Sequence, residues 1–136
     1  MNARIPPYDN EAERSVLAAV LIDPDAIVRV SEHLGPKSFY QPKHQVIFEA
    51  MQDLYEKRDP IDVVTLTAQL KKKKLLTKAG GASELTELSN TLSTAANAAN
   101  YAKIVQEKNV KRRLISLGGE VSELAFDESK NAKDIL

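Results

Sequence analysis

Cysteine and tryptophan are absent from the 136-residue sequence, and so is net charge, with 19 Lys and Arg against 19 Asp and Glu. Without cysteine there is no thiolate catalysis, no disulfide and no thiolate zinc site, and the redox compartment is left undetermined. The charge balance argues against a duplex-binding domain, which usually carries a basic surplus, although a local basic patch stays open. Four tyrosines and three phenylalanines argue against platforms for stacking bases. The longest apolar run, VLAAVLI at 16–22, is far short of the roughly 20 residues that span a membrane, and no signal-peptide pattern opens the chain. A soluble, cytoplasmic protein without membrane contact is expected.

Catalytic constellations are missing as well. His33 and His44 are the only histidines. They form no H-x-x-x-H pair, and each is expected at the surface or at a helix cap, not on a metal or as a general base. KAGGASE at 78–84 has glycines but lacks the lysine and hydroxyl of a G-x-x-x-x-G-K-[ST] phosphate loop, so it reads as a turn. Carboxylates are spread along helix faces as solvated charges normally are. No catalytic, cofactor-binding or metal-ligating residue is expected in this chain.

What is present is helical signal. At 43% apolar residues the chain can bury one modest core. DNEAERSVLAAVLI offers Asp9 or Asn10 as a helix cap, with Glu13 as a capping-box partner of Asn10 and an apolar later half that belongs in the centre. DPDAIVRVSEHLGP begins with Asp23 as cap and Pro24 at the first helical position, stops at Gly35-Pro36, and aligns Ile27, Val30 and Leu34. QPKHQVIFEAMQDLYEKRDP places Ile47, Phe48, Met51, Leu54 and Tyr55 on one stripe before Pro60. IDVVTLTAQLKKKK is ambiguous. Its β-branched residues favour a strand, yet Val63, Leu66 and Leu70 fit a helix capped by Asp62, and helix is the reading adopted. Leu85, Leu88 and Leu92 mark a short amphipathic helix. Ser93 or Thr94 then caps a long last helix over about 95–126. The expected fold is all-α, with a compact head of short helices over 1–93 and a long arm over 94–136.

The arm carries two apolar lines. Val110, Leu114, Leu117, Val121 and Leu124 follow each other at four, three, four and three residues, the spacing of a coiled-coil seam. Ile104, Ile115 and Phe126 recur every 11 residues, about 130° round the helix from that seam. One helix therefore has two partners to satisfy, unless both lines pack on the head. Gly118-Gly119, costly in a helix interior, favour a close helix–helix approach or a bend. Two basic clusters remain. Lys71–Lys74 close a helix, where cations suit the negative end of its dipole. Lys111–Arg113 point around the helix and form no stripe. The competing reading is a small helical nucleic-acid-binding domain that uses these clusters.

Four stretches, RIPPYDNEAERSVLAAVL (4–21), FYQPKHQVIFEAM (39–51), DPIDVVTLTAQL (59–70) and TAANAANYAKIVQEKNVKRRLI (94–115), resemble the N-terminal domain of the bacterial replicative DNA helicase, DnaB. The resemblance covers about Arg4 to Phe126 in the family's order. It implies a globular helical head followed by a helical hairpin whose first arm is the long helix here. The seam would face the second hairpin helix, begun by AKDIL, and the other line would serve the head or a neighbouring subunit. Such domains form the collar of a hexameric helicase, in which paired hairpins make dimers and three dimers close the ring. The collar holds the primase through the primase's C-terminal domain.

The resemblance further implies an ATPase motor, with ATP, magnesium and most DNA contacts, beyond residue 136, and a helicase loader as a further partner, at the bacterial replication fork. Primase contacts of relatives map to Glu11, Glu84, Ile115 and Val121. Glu84 departs from the aromatic residue that some relatives carry there.

Overall fold

The structure, a computed structural model, describes residues 4–136, and no strand occurs among them. The helices are α1 (Asn10–Ile22), α2 (Ala26–Ser31), α3 (Pro42–Glu56), α4 (Val63–Lys72), α5 (Gly81–Ser89), α6 (Ala98–Phe126) and α7 (Ala132–Ile135), with a 3-10 turn at Pro36–Ser38. None of them is long and apolar enough to cross a membrane.

Extended backbone at Asp9 (φ −133°) starts α1, and the Asp9 carboxylate accepts from Ala12 N at 2.9 Å. The expected box between Asn10 and Glu13 does not form. With Asp9 as cap, Asn10 is already helical, and Glu13 falls on the face of Val16, Leu17 and Val20, which are fully buried. α2 is shorter than its sequence suggests. Pro24 and Asp25 form a turn, held by Ala26 N on Asp23 O at 2.9 Å and by Asp25 N on the Asp23 carboxylate at 3.1 Å. The helix ends at Ser31, but Ile27, Val30 and Leu34 are all buried.

α3 lays Ile47, Phe48, Met51 and Leu54 into the core and leaves Tyr55 partly exposed at the edge of the stripe. The ambiguous segment is helical because its threonine serves the cap. Asp62 accepts from Thr65 N at 2.8 Å, and Thr65 Oγ1 accepts from Asp62 N at 3.0 Å, a reciprocal capping box that satisfies two orphan donors. Gly80 (φ +100°) and Gly81 (φ +83°) turn the chain into α5. A Cβ on Gly80 would lie 2.9 Å from Glu84 Cβ, so the position needs glycine for space as well as for φ.

α6 begins after the expected cap residues. Thr94 Oγ1 accepts from Ala96 N at 3.2 Å in the preceding turn, and Asn97 is the cap residue, with no side-chain bond to the helix. Ala98, Ala102 and Val105 are buried, and these small side chains let α6 lie close along α1. The core they complete contains Leu17, Phe39, Phe48, Met51, Leu66, Leu70, Leu85 and Leu88. Beyond Val105 no residue of α6 is fully buried, and the helix runs on into solvent.

Gly118 and Gly119 are both helical, and a Cβ on either would meet nothing within 4 Å. The close approach expected of them is therefore not made within this chain. Gly118→Ala and Gly119→Ala should each stabilise the chain by up to about 1 kcal/mol through helix propensity alone, read as a rise in melting temperature. A loss of stability in either variant would show a constraint beyond open helix.

Candidate functional site

The seam residues Val110, Leu114, Leu117 and Val121 are exposed, and Leu124 is half-buried. The second line is exposed too, at Ile104, Ile115 and Phe126. Neither line is buried by the compact part of the fold, although Ile104 and Val110, nearest to it, are more than half covered. Leu114 and Ile115 are exposed to the same degree, 60% and 61%, so within this chain neither one is core. Val110, Arg113, Leu114 and Leu117 line a shallow hollow of about 260 Å³. α7 folds back against α6, with Ile135 half-buried, but it is too short to cover the seam. This gives a long apolar helical surface that the chain itself leaves open. Burying such a surface at an interface removes apolar area from water and favours association.

Ile115 and Val121 sit six residues apart on that arm and so face about 120° away from each other around the helix. Glu11 and Glu84 lie elsewhere. Glu11 is exposed in the first turn of α1. Glu84, with a side chain only 13% exposed, accepts from Arg14 at 2.8 Å and pairs with Lys43 at 3.3 Å. Arg14 stands one helical turn beyond Glu11, so the two glutamates belong to one charged neighbourhood on α1, α3 and α5. The four sequence-predicted partner residues thus form two groups, one charged and one apolar.

The basic clusters are partly consumed by the fold. Lys73 reaches Asp53 at 2.8 Å and Glu49 at 2.9 Å. Its hydrogen bond to Asp53 lifts the ammonium pKa above the ordinary lysine value against the opposing effect of burial, with Glu49 adding to the rise. From α6, Arg112 donates to Pro7 O and to Ser38 O, both at 2.8 Å. These two side chains are unavailable to phosphates, which weakens the nucleic-acid reading.

Sequence reasoning missed one pair altogether. Glu13 and His44, expected at a cap and at the surface, are both buried, with His44 Nδ1 2.7 Å from Glu13 Oε1. Glu13 also accepts from Tyr40 N at 2.7 Å and Gln41 N at 3.3 Å. Among the described residues His44 Nε2 has no hydrogen-bond partner. A signal was present, because His44 precedes Ile47, Phe48 and Met51 by three, four and seven residues, the spacing of the buried stripe. No group of three or more His, Asp or Glu suited to a metal occurs among the described residues.

Residues 5–107 match the family described as the DnaB-like helicase N terminal domain. The replicative DNA helicase DnaC of Bacillus subtilis is 40% identical over 136 residues, which is 100% of this chain and 30% of that protein. The replicative DNA helicase DnaB of Geobacillus stearothermophilus is 47% identical over 120 residues, 88% of this chain and 26% of the relative. The chain therefore spans 30% or less of the length of these two relatives. The crystal structure of the N-terminal domain of DnaB helicase from Mycobacterium tuberculosis matches with a TM-score of 0.92 at 42% identity, covering 96% of this chain and 92% of that one. A DnaB-like replicative helicase, described with its interactions with primase, matches with a TM-score of 0.73 at 30% identity over 85% of this chain and 27% of its own.

Proposed function

From the premise that the chain belongs to the DnaB-like helicase N-terminal domain family, we propose that it is the non-catalytic collar of a hexameric replicative DNA helicase. In this reading it joins subunits through the arm and docks primase through the primase's C-terminal domain during DNA replication. The observation that carries the reading is the open apolar surface of α6, where two lines of side chains face different directions and neither is covered. One helix can then serve a permanent helical mate on the seam and a second protein on the sparser line. ATP hydrolysis, magnesium, most DNA contact and unwinding belong to the remainder of the longer protein, and this chain hydrolyses no ATP. The division into a head over 1–93 and an arm over 94–136 is part of the same proposal, as is a helicase loader as further partner.

Glu11, Glu84, Ile115 and Val121 are the proposed primase contacts. Glu84 takes part as a member of the cluster with Arg14 and Lys43, since its carboxylate is already shared between them. Ile115→Ala should weaken binding of the primase C-terminal domain about 10- to 100-fold, the loss of roughly 1.5–3 kcal/mol of buried side chain, and Val121→Ala, which lies on the seam, should weaken it less. Melting of the chain itself should stay within about 0.5 kcal/mol, as for other exposed positions. Calorimetric titration decides it, and unchanged affinity in both variants would remove the arm from the primase site.

A further inference from the structure

Arg112 occupies an unexpected place. Ala98, Ala102, Val105, Asn109 and Arg112 follow at four, three, four and three residues, so a third line, with seam-like spacing, runs along α6, turned toward the body of α1–α5. Its first three members are buried. Asn109 lines the crevice formed with Gly35–Ser38. Arg112, half-buried between exposed Lys111 and Arg113, is where this line ends and the free arm begins.

The side chain ties three segments together. One guanidinium nitrogen donates to Pro7 O and the other to Ser38 O, each at 2.8 Å. Its central carbon lies 5.4 Å from the centroid of the Tyr40 ring. Tyr40 in turn stacks on Tyr8, with centroids 4.3 Å apart and planes 15° apart. Both acceptors suit the role. Ser38 O lies at the end of a 3-10 turn, where carbonyls lack intrahelical donors. Pro7 O belongs to a Pro-Pro pair whose backbone φ angles are fixed by their rings. Behind Tyr40, the buried Glu13 holds Tyr40 N and Gln41 N and pairs with His44. Gln45 Nε2 donates to Phe39 O at 2.8 Å. The segments PP and FY thus meet at one arginine of α6, with Glu13, His44 and Gln45 holding the 39–41 segment behind Tyr40.

We propose that Arg112 is a positioning residue that sets the direction in which the α6 arm leaves the body, with Pro7 and Tyr8 acting as a strap across its base. The consequence for docking rests on the collar reading above, but the positioning itself does not. Leverage makes the contact matter. Phe126 lies about 21 Å beyond Arg112 along the helix, so a swing of about 15° at the base moves that end by about 5 Å. A planar fork that meets two fixed carbonyls resists such a swing. A lysine at 112 would keep the charge but cannot reproduce both bonds in one geometry.

The absence of native cysteine makes the test direct. Spin labels on Lys71→Cys and Glu123→Cys, both exposed positions, report the angle between body and arm by pulsed dipolar distances, with unlabelled chain added to dilute contacts between copies. The unchanged chain should give a narrow distribution. Arg112→Ala should broaden or shift it by about 5 Å, and Arg112→Lys and Tyr8→Ala should do so less, while helix content is kept. A distribution as narrow as that of the unchanged chain in Arg112→Ala, whatever its melting temperature, would overturn the proposal, because a mere stability contact lowers melting without freeing the arm. Should Arg112→Ala fail to fold, Arg112→Lys and Tyr8→Ala carry the same decision. Because the distances need no partner, loss of primase binding in other variants tests the collar reading separately.

Discussion

Glu13→Ala should destabilise the chain by about 3–5 kcal/mol, because it removes a buried acceptor that serves several partners at once. The carboxylate is 1% exposed and accepts from Tyr40 N, Gln41 N and His44 Nδ1. Truncation strands all three donors, and a stranded buried donor costs about 1–3 kcal/mol. Against a typical domain stability of about 5–15 kcal/mol this is a large share, equivalent to a fall in melting temperature of roughly 10–20 °C. Glu13→Gln keeps one acceptor oxygen while its amide nitrogen opposes a donor, so an intermediate loss is expected. Glu11→Ala, two residues earlier on the same helix and exposed, is the control and should shift stability by no more than about 0.5 kcal/mol. Thermal melts followed by circular dichroism suffice. Equal melting of the Glu13 and Glu11 variants would mean that the 39–41 segment is not held by this carboxylate.

The same pair shows where sequence reading stops. Periodicity recovers the helices because apolar stripes such as Ile47–Phe48–Met51–Leu54 have one physical explanation, burial of a face. Local chemistry recovers the caps at Asp9 and Asp62, since short acceptors next to a helix start satisfy its free donors. A charged residue on a buried stripe has no such single meaning. Glu13 and His44 occupy core positions by spacing, but their chemistry is that of the surface, and only the meeting of α1 with the start of α3 makes their burial affordable. Arg112 is the same case on α6. Its spacing from Ala98, Ala102 and Val105 was legible, whereas its acceptors, Pro7 O and Ser38 O, lie 105 and 74 residues away in the chain.

The candidate site was legible for the opposite reason. The seam and the line through Ile115 are apolar positions that the rest of the chain cannot cover, and both are exposed in the structure. Which of the two faces which partner is not encoded by spacing. The glycine pair shows the limit from the other side. Gly118 and Gly119 read as a contact point because they are costly in a helix, yet among the described residues nothing lies within 4 Å of a Cβ at either.

Leu114→Lys combined with Leu117→Lys should break up the helicase ring in the longer protein of which this chain is the proposed collar, while leaving the chain's own fold intact. Both leucines are more than half exposed here, so the double change should alter the melting of the chain by no more than about 0.5 kcal/mol per site. In the longer protein the seam is proposed to face the second hairpin helix, and each leucine buried there contributes about 1.5–3 kcal/mol. Replacing both loses roughly 3–6 kcal/mol, a factor of at least about 100 in the equilibrium that closes the hairpin, and dimers made by paired hairpins fall with it. Placing two ammonium groups in an apolar seam adds a desolvation cost. Sedimentation velocity of the full-length protein across a concentration series should therefore show dimers or monomers where the unchanged protein is expected to show hexamers. Ile115→Lys provides the contrast. It lies about 100° from Leu114 on the helix, so it should leave the ring standing and lose primase. A ring that survives the Leu114 and Leu117 changes would move assembly off the seam and onto the body of α1–α5.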